Sequence, residues 1–144
     1  MTTEKARSFK QGDVISYPYL WNWQAQRGET EGRKDRPVCV ALPVNRDGII
    51  HLFLLAITST KPGRDRSALA IPETEARRAG LQHGATGWVI IDECNYDIAT
   101  QSHYLDVAQP PKGRFSEAFV GQIKQAFRAI LKSGGLARVD RLDG

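Results

Sequence analysis

The apolar positions at the start of the chain have the short spacing of β-strands. Residues 13–19 mix β-branched and aromatic side chains behind a Gly-Asp turn signal, so a strand is expected to begin near Val14. Pro18 places the end of this strand at a sheet edge. The polar segment from Asn22 to Lys34 shows neither strand nor helix periodicity, and it predicts a long exposed loop.

The middle of the chain carries the strongest strand signals. Apolar runs bounded by turn residues predict strands at 38–42, 49–58, 68–71 and 88–92. A turn at 45–48 joins the first two of these strands into a β-hairpin. The residues that follow the last run, 94–98, are expected to be irregular at first and then extended.

Helical spacing replaces strand spacing near the C-terminus. Apolar residues recur at helical spacing between Ser116 and Lys132, and they predict an amphipathic helix that packs on the sheet. Ser116 is a good N-cap, and the glycine pair at 134–135 supplies the stop. A brief helix is expected after Pro72, because its acidic residues come first and its basic residues last, as the helix dipole favours.

Length and composition predict one mostly β domain of the α+β class. A chain of 144 residues with 41% hydrophobic content can bury a real core, expected over about residues 9–132 of a domain spanning 1–144. The tail at 136–144 is expected to be flexible. No apolar stretch approaches the roughly 18 residues of a membrane span, and the polar N-terminus lacks a signal-peptide core. We therefore expect a soluble, cytoplasmic protein without membrane contact.

Charge and reactive side chains narrow the function only slightly. A net charge of +4 favours polyanionic partners but is too small to identify one. Cys39 and Cys94 lie in apolar segments and predict reduced core thiols, with a catalytic thiol as the alternative. His51, His83 and His103 have no metal-ligand spacing with each other or with the cysteines, so no metal site is expected.

The first sixty residues contain the parts of an anion site. An aromatic strand, an arginine-rich loop that ends in Arg36-Pro37, and an apolar run that ends in Thr58, Ser59 and Thr60 follow one another. The loop can bring guanidinium groups to the rim of a sheet, and the hydroxyl groups at the end of a strand supply hydrogen-bond donors beside them. A phosphate diester is the natural occupant of such a site.

The same order of segments resembles the PemK/MazF family of toxin endoribonucleases. The matching segments are Gly12-Asp13-Val14-Ile15, the loop closed by Arg36-Pro37, and Ala56-Ile57-Thr58-Ser59, within a similarity that covers roughly residues 9–131. The resemblance implies a compact SH3-like β-barrel of the CcdB/MazF/PemK type, with a short helix and a C-terminal amphipathic helix. It also implies a homodimer that cleaves single-stranded RNA without a metal or other cofactor, and an antitoxin protein that holds it inactive.

The resemblance assigns roles to individual residues. Arg36 matches the family's catalytic arginine, Thr58 and its neighbour Ser59 match the hydroxyl residues, and Asp92 matches a carboxylate that some members use as a base. Cleavage by the 2′-hydroxyl requires a proton acceptor, a proton for the leaving 5′-oxygen and stabilisation of charge on phosphorus. Arg36 suits the last task, and Asp92 would need an apolar environment that raises its proton affinity.

RNA contacts are expected from the loop that precedes Arg36. Arg27, Arg33 and Lys34 supply positive charge, and Trp21 and Trp23 at the loop entrance are candidates for contact with unpaired bases or with a protein partner. The alternatives are structural. In these, Arg36 forms a surface salt bridge with Asp35 or Glu31, and Thr58 simply ends a strand.

Two departures from the family pattern keep a second function open. Asn95 stands where many members carry a second phosphate-facing cation, and the segment 27–36 has four basic and three acidic residues, a net charge of only +1. These features favour a catalytically degenerate homologue, a protein- or nucleic-acid-binding module such as a gyrase poison of the same fold. A DNA-binding regulator has little support, because no recognition-helix pattern is present.

Overall fold

The computed structural model describes residues 9–81, 87–102, 104–105 and 109–142. The chain forms a mostly β, curled half-barrel sheet with three helices. The strands are β1 (Asp13–Tyr17), β2 (Arg36–Arg46), β3 (Ile49–Thr58), β4 (Ala68–Ile71), β5 (Gly87–Ile90), β6 (Glu93–Ile98), β7 (Gly113–Arg114) and β8 (Ala137–Asp140). The helices are α1 (Asn22–Gln26), α2 (Glu73–Arg78) and α3 (Glu117–Ser133). A β-rich α+β fold is thereby confirmed.

Strand β3 is the centre of the sheet. The hydrogen-bonded order is β4, β5, β3, β2, β1 and β7, and β6 pairs with another stretch of β3. All of these pairings are antiparallel, whereas β8 adds to the outside of β6 in parallel. The expected hairpin is confirmed as β2 and β3, joined at the turn where Asp47 and Gly48 adopt positive φ.

Strand β3 reads as a nearly continuous apolar run because both of its faces are buried. Leu55 and Ile57 face the cluster that also contains Phe119, Ile123 and Phe127 of α3. The alternate positions, Leu52, Leu54 and Ala56, face a second cluster that contains Tyr17, Tyr19 and Val38. Side chains that alternate along a strand point to opposite faces, so one strand serves two cores.

The predicted helices are confirmed with small shifts at their ends. Helix α3 begins after Ser116, whose hydroxyl accepts a hydrogen bond from the Phe119 amide at 3.2 Å, and it stops at Gly134 with φ of 76°. Helix α2 follows Pro72, with Glu73 in its first turn and Arg78 in its last. No helix in the described part of the chain is long and apolar enough to cross a membrane.

Three local expectations are wrong. The segment 22–34 is not entirely loop, because its first residues form α1, in which the Gln24 side chain accepts a hydrogen bond from the Trp21 amide at 3.0 Å. Residues 94–98 are not irregular, since they belong to β6. Most of the tail at 136–144 is ordered, because β8 pairs with β6 and Arg141 is buried.

The cysteines occupy the positions expected of structural thiols. Cys39 and Cys94 are free and buried, in the cluster that packs against α3. Burial raises the pKa of each thiol to about 12, so neither forms an appreciable amount of thiolate at neutral pH. The expectation of reduced core cysteines is confirmed.

Candidate functional site

A cavity of about 310 Å³ opens where the chain leaves β1 and returns through the loop to β2. We call it the basic cavity. Its lining residues are Tyr19, Trp21, Trp23, Gln24, Arg33, Lys34 and Arg36. Three of them are cations, and no carboxylate is among them. Such a mixture of aromatic rings and positive charge is typical of sites that hold single-stranded nucleic acid.

Arg36 is the most constrained cation of the basic cavity. It is the first residue of β2 and pairs with Tyr17 of β1, so the sheet fixes its backbone. Its guanidinium carbon lies 5.1 Å from the centroid of the Trp21 ring. Partial burial lowers the pKa of Arg36 from its usual value, yet an arginine side chain remains charged at neutral pH.

Within the described residues, Arg36 forms no ion pair with a carboxylate. The alternative of a salt bridge to Asp35 or Glu31 is therefore wrong. Asp35 lines a different cavity, and the Glu31 carboxylate lies 3.3 Å from the Tyr104 hydroxyl. No described carboxylate neutralises the charge of Arg36, and its side-chain donors bond to none of the described residues.

Thr58 lies at the same end of the β2–β3 ladder as Arg36. The last recorded pair at this end joins Val38 to Ala56, and continuing the antiparallel register by two residues sets Arg36 opposite Thr58. Arg36 lies two residues from Val38, and Thr58 lies two residues from Ala56. Val38 and Ala56 face the same core, so the side chains of Arg36 and Thr58 project from that same face of the sheet. The Thr58 hydroxyl also accepts a hydrogen bond from the Thr60 amide at 3.1 Å, and Ser59 is exposed beyond the strand.

The two tryptophans are in close contact with guanidinium groups. Arg27 and Arg33 lie over the Trp23 ring, with their guanidinium carbons 5.1 and 5.0 Å from its centroid, and this side chain is 44% exposed. Trp21 contacts Arg36 and meets the ring of Tyr19 edge to face at 5.0 Å. Cations and rings at these distances attract one another and restrict one another's motion.

The acidic residues of the same loop face away from the basic cavity. Glu29 and Glu31 line a second cavity of about 380 Å³, which also receives Asp140, Arg138 and Arg141 and which we call the mixed cavity. Glu29 holds Arg33 at the boundary between the two through hydrogen bonds of 2.7 and 3.1 Å. The net charge of the loop is small, but three of its cations line the basic cavity whereas Glu29 and Glu31 line the mixed cavity.

Asp92 differs most from its expected role. Arg66 donates hydrogen bonds of 2.8 to 3.2 Å to both oxygens of its carboxylate, and the Ser67 amide donates another at 3.0 Å. Partial burial acts to raise the pKa of Asp92, but these hydrogen bonds outweigh it and the net shift is downward. The expected rise in proton affinity is wrong, and the carboxylate is a structural anchor for Arg66.

Glu93 is the residue of this region that sequence reasoning missed. It is 3% exposed, and its carboxylate contacts Tyr19, the Asn22 amide and Arg66. Burial and the neighbouring Glu93 charge raise the pKa of Tyr19 well above its usual value, so Tyr19 is a neutral donor. The signal available in the sequence was the acidic pair Asp92-Glu93, placed between the apolar residues Ile91 and Cys94.

Asn95 does not face a phosphate site. It is fully buried, and its side chain exchanges two hydrogen bonds with the Leu20 backbone, at 2.7 and 2.9 Å, while Arg141 donates a third at 3.0 Å. The interpretation of Asn95 as a replaced phosphate-binding cation is therefore wrong. It secures the chain between β1 and α1, so its identity says nothing against activity.

The histidines offer no metal site that can be built from the described residues. His83 and His103 lie outside those residues, and the Nδ1 atom of His51 lies 2.5 Å from the Tyr96 hydroxyl. The described part of the chain contains no group of three or more histidine, cysteine or acidic side chains positioned to hold a metal ion.

Comparison with known proteins adds no identification. No protein-family model matches the chain, and no curated protein sequence matches it. The functional argument therefore depends on the geometry of the basic cavity and on the chemistry of its side chains.

Proposed function

We propose that this protein is a PemK/MazF-like toxin, a metal-independent endoribonuclease that binds single-stranded RNA in the basic cavity. The observation that carries the proposal is Arg36, a half-buried guanidinium on the Trp21 ring that has no carboxylate partner within the described residues. A planar guanidinium that is charged and unpaired can bind two phosphate oxygens at once, which a lysine cannot do.

The architecture supports this proposal without deciding it. In the proposal, the curled half-barrel is an SH3-like barrel of the CcdB/MazF/PemK type, and the protein acts in the cytoplasm as a homodimer that a cognate antitoxin inhibits. The sheet is suited to the task because β1 and β2 fix the backbone of Arg36, while β3 and β5 fix that of Thr58. A site on paired strands keeps its geometry better than a site on loops alone.

In the proposed reaction, the 2′-oxygen attacks the adjacent phosphorus, and the bond from phosphorus to the 5′-oxygen breaks to leave a 2′,3′-cyclic phosphate. Arg36 stabilises the additional negative charge on the phosphorane oxygens. Thr58 and Ser59 position the phosphate through their hydroxyl groups. Because the described lining of the basic cavity contains no carboxylate, the 2′-hydroxyl proton leaves to water, and water protonates the 5′-oxygen.

RNA binding itself draws on the other cations and rings. Lys34 and Arg33 line the cavity beside Arg36, and Arg27 lies over the outer tryptophan, so several phosphates of one strand can be contacted. Stacking of an unpaired base on an aromatic ring is worth roughly 1–3 kcal/mol. Trp21 and Trp23 are the rings we assign to such contacts, with the guanidiniums holding them in place.

The direct test is cleavage of a labelled single-stranded RNA by the purified protein in EDTA. We expect cuts whose products carry a cyclic phosphate, and we expect R36A to abolish them. Arg46 provides a matched control, because it is the exposed arginine at the other end of the same strand, so R46A should cut normally. Intact RNA at high protein concentration, or equal activity of R36A and R46A, would contradict the proposal.

One observation favours a second candidate function, a homologue that binds without cleaving. Asp92 is held by Arg66, and the described lining of the basic cavity supplies no general base. Such a protein would bind RNA or a protein target through the same cavity. Growth arrest on expression that survives R36A, together with intact RNA, would favour this candidate over the nuclease.

A further inference from the structure

A single buried carboxylate connects the chain after β1, helix α1 and the connection between β3 and β4. One oxygen of Glu93 accepts hydrogen bonds from the Tyr19 hydroxyl and from the Asn22 amide, each at 3.0 Å. Its other oxygen accepts one from Arg66 at 2.9 Å. All three partners precede Glu93 in the chain, two of them by 71 and 74 residues and Arg66 by 27, so the contacts are purely tertiary.

Each of these partners belongs to a segment with a part in the proposed site. Tyr19 lines the basic cavity, and Asn22 is the first residue of α1, which carries Trp23 into the same lining. Arg66 ends the connection that leaves β3 after Thr58, and Asp92 holds the same guanidinium from a second side. Glu93 thus joins the aromatic wall of the basic cavity, through Tyr19 and Asn22, to the connection that follows Thr58, through Arg66.

We infer that Glu93 is a positioning residue for RNA cleavage, one that acts through Tyr19, Asn22 and Arg66 and does not touch the substrate. This inference rests on the proposed function. A buried carboxylate with three donors is rigid, since losing any of them leaves part of its charge without a partner. The aromatic wall and the Thr58 connection are therefore held in a fixed relation, as a preorganised phosphate site requires.

The chain supplies its own matched control on the same strand. Asp97 is 1% exposed, and its carboxylate accepts hydrogen bonds from the Tyr17 hydroxyl at 2.6 Å and from Ser102 at 2.5 Å. The two pairs, Tyr19 with Glu93 and Tyr17 with Asp97, are both buried between the β1 region and β6. Neither Tyr17 nor Asp97 lines the basic cavity.

The experiment compares E93Q with D97N in melting temperature, in affinity for a labelled oligouridine and in single-turnover cleavage at saturating RNA. Both variants should melt at a lower temperature than the wild type. We expect E93Q to lower the cleavage rate by roughly 10- to 100-fold, because a displacement of about 1 Å can cost about 100-fold in rate. D97N should change the rate by less than about twofold, because the Asp97 and Tyr17 side chains do not line the basic cavity.

A second pair of variants covers the case in which E93Q does not fold. Y19F removes only the hydroxyl group that meets Glu93, and Y17F removes only the one that meets Asp97, while both rings stay in the core. Y19F should slow cleavage and Y17F should not.

The outcomes separate this inference from the proposed function. Equal effects of E93Q and D97N on cleavage, or wild-type cleavage by Y19F, would overturn the positioning role while leaving the nuclease intact. A wild-type protein that neither binds nor cuts RNA would overturn both.

Discussion

The basic cavity and the mixed cavity share one stretch of chain, yet the first is lined by cations without carboxylates and the second by charges of both signs. Arg33, Lys34 and Arg36 line the first, whereas Glu29 and Glu31 line the second, which is larger at about 380 Å³ against about 310 Å³. The comparison shows that neither the size of a cavity nor the net charge of a loop identifies an anion site. Whether a cavity can bind an anion depends on which charged side chains point into it, because an unpaired cation in a concave surface attracts anions most strongly.

The two cavities also use their arginines differently. Arg141 of the mixed cavity is 3% exposed, and it donates hydrogen bonds to the Pro18 carbonyl and the Asn95 side chain, at 2.8 and 3.0 Å. Its guanidinium also lies 4.0 Å from the centroid of the Tyr104 ring. The Arg36 side chain makes a ring contact but no hydrogen bond within the described residues. One arginine serves the fold, and the other is available to a ligand.

The largest effect on the cleavage rate is expected from R36K, which changes the shape of the side chain but keeps its positive charge. R36K keeps the positive charge but loses the paired contact with two phosphate oxygens, so cleavage should fall by about 100- to 1000-fold. The melting temperature should fall by only a few degrees, because the Arg36 side chain contributes its contact with the Trp21 ring but no hydrogen bond to another described residue. Single-turnover kinetics and a thermal melt check both halves, and wild-type cleavage by R36K would contradict the assignment.

At Arg141 we expect a substitution to lower stability and to leave RNA binding unchanged. R141A removes hydrogen bonds from a buried charged group and leaves the Asn95 and Pro18 oxygens without that donor, which should cost roughly 2–3 kcal/mol of unfolding free energy. Chemical denaturation measures this loss. The affinity of the remaining folded protein for RNA should be unchanged, and a selective loss of RNA binding would show that the two cavities are not functionally distinct.

The acid dependence of stability tests the environment of Asp92. Because its pKa is lowered in the folded protein, the carboxylate stabilises the fold above its unfolded pKa of about 3.9, and this contribution is lost as the pH falls through the lower folded value. D92N should therefore be less stable than the wild type at pH 7, by less than about 1 kcal/mol because the pair with Arg66 is partly exposed. The difference should begin to shrink below about pH 4 and vanish once the pH lies below the folded value. A D92N variant that is more stable at pH 7 would instead indicate the raised pKa of a general base.

The smallest effect is expected at the boundary between the cavities. Glu29 holds Arg33 in an exposed salt bridge of 2.7 Å, so E29Q should release Arg33 and tighten RNA binding by less than about fivefold. Glu31 contacts the Tyr104 hydroxyl instead of a cation, which makes E31Q the matched control. Affinities measured at low salt should separate the two variants, and weaker binding by E29Q would mean that Glu29 supports the site.

Much of the fold could be predicted because its signals are local. The β2–β3 hairpin follows from two apolar runs and a turn, and α3 follows from its apolar period, its serine cap and Gly134. Helix α1 escaped notice because its five residues are too short to show a period. Strand β8 escaped because its pairing with β6 is parallel and lies more than forty residues away along the chain, where no local turn announces it.

The candidate site was predictable in part, for the same reason. The order of segments pointed to Arg36 and Thr58, and both residues lie just beyond the Val38–Ala56 end of the β2–β3 ladder. The chemistry expected of Asp92 was wrong, because nothing local reveals that Arg66 approaches from 26 residues away. Glu93 was missed entirely, since its three partners come from three different segments.

The central claim is that the Arg36 guanidinium binds a phosphate of single-stranded RNA, and the salt dependence of binding tests it most directly. For the three cations that line the basic cavity, the logarithm of the binding constant should fall with the logarithm of salt concentration with a slope of about −2. R36A should reduce the magnitude of that slope by about 0.7, and R46A should leave it unchanged. Equal slopes for the wild type, R36A and R46A would show that Arg36 meets no phosphate and would contradict the account.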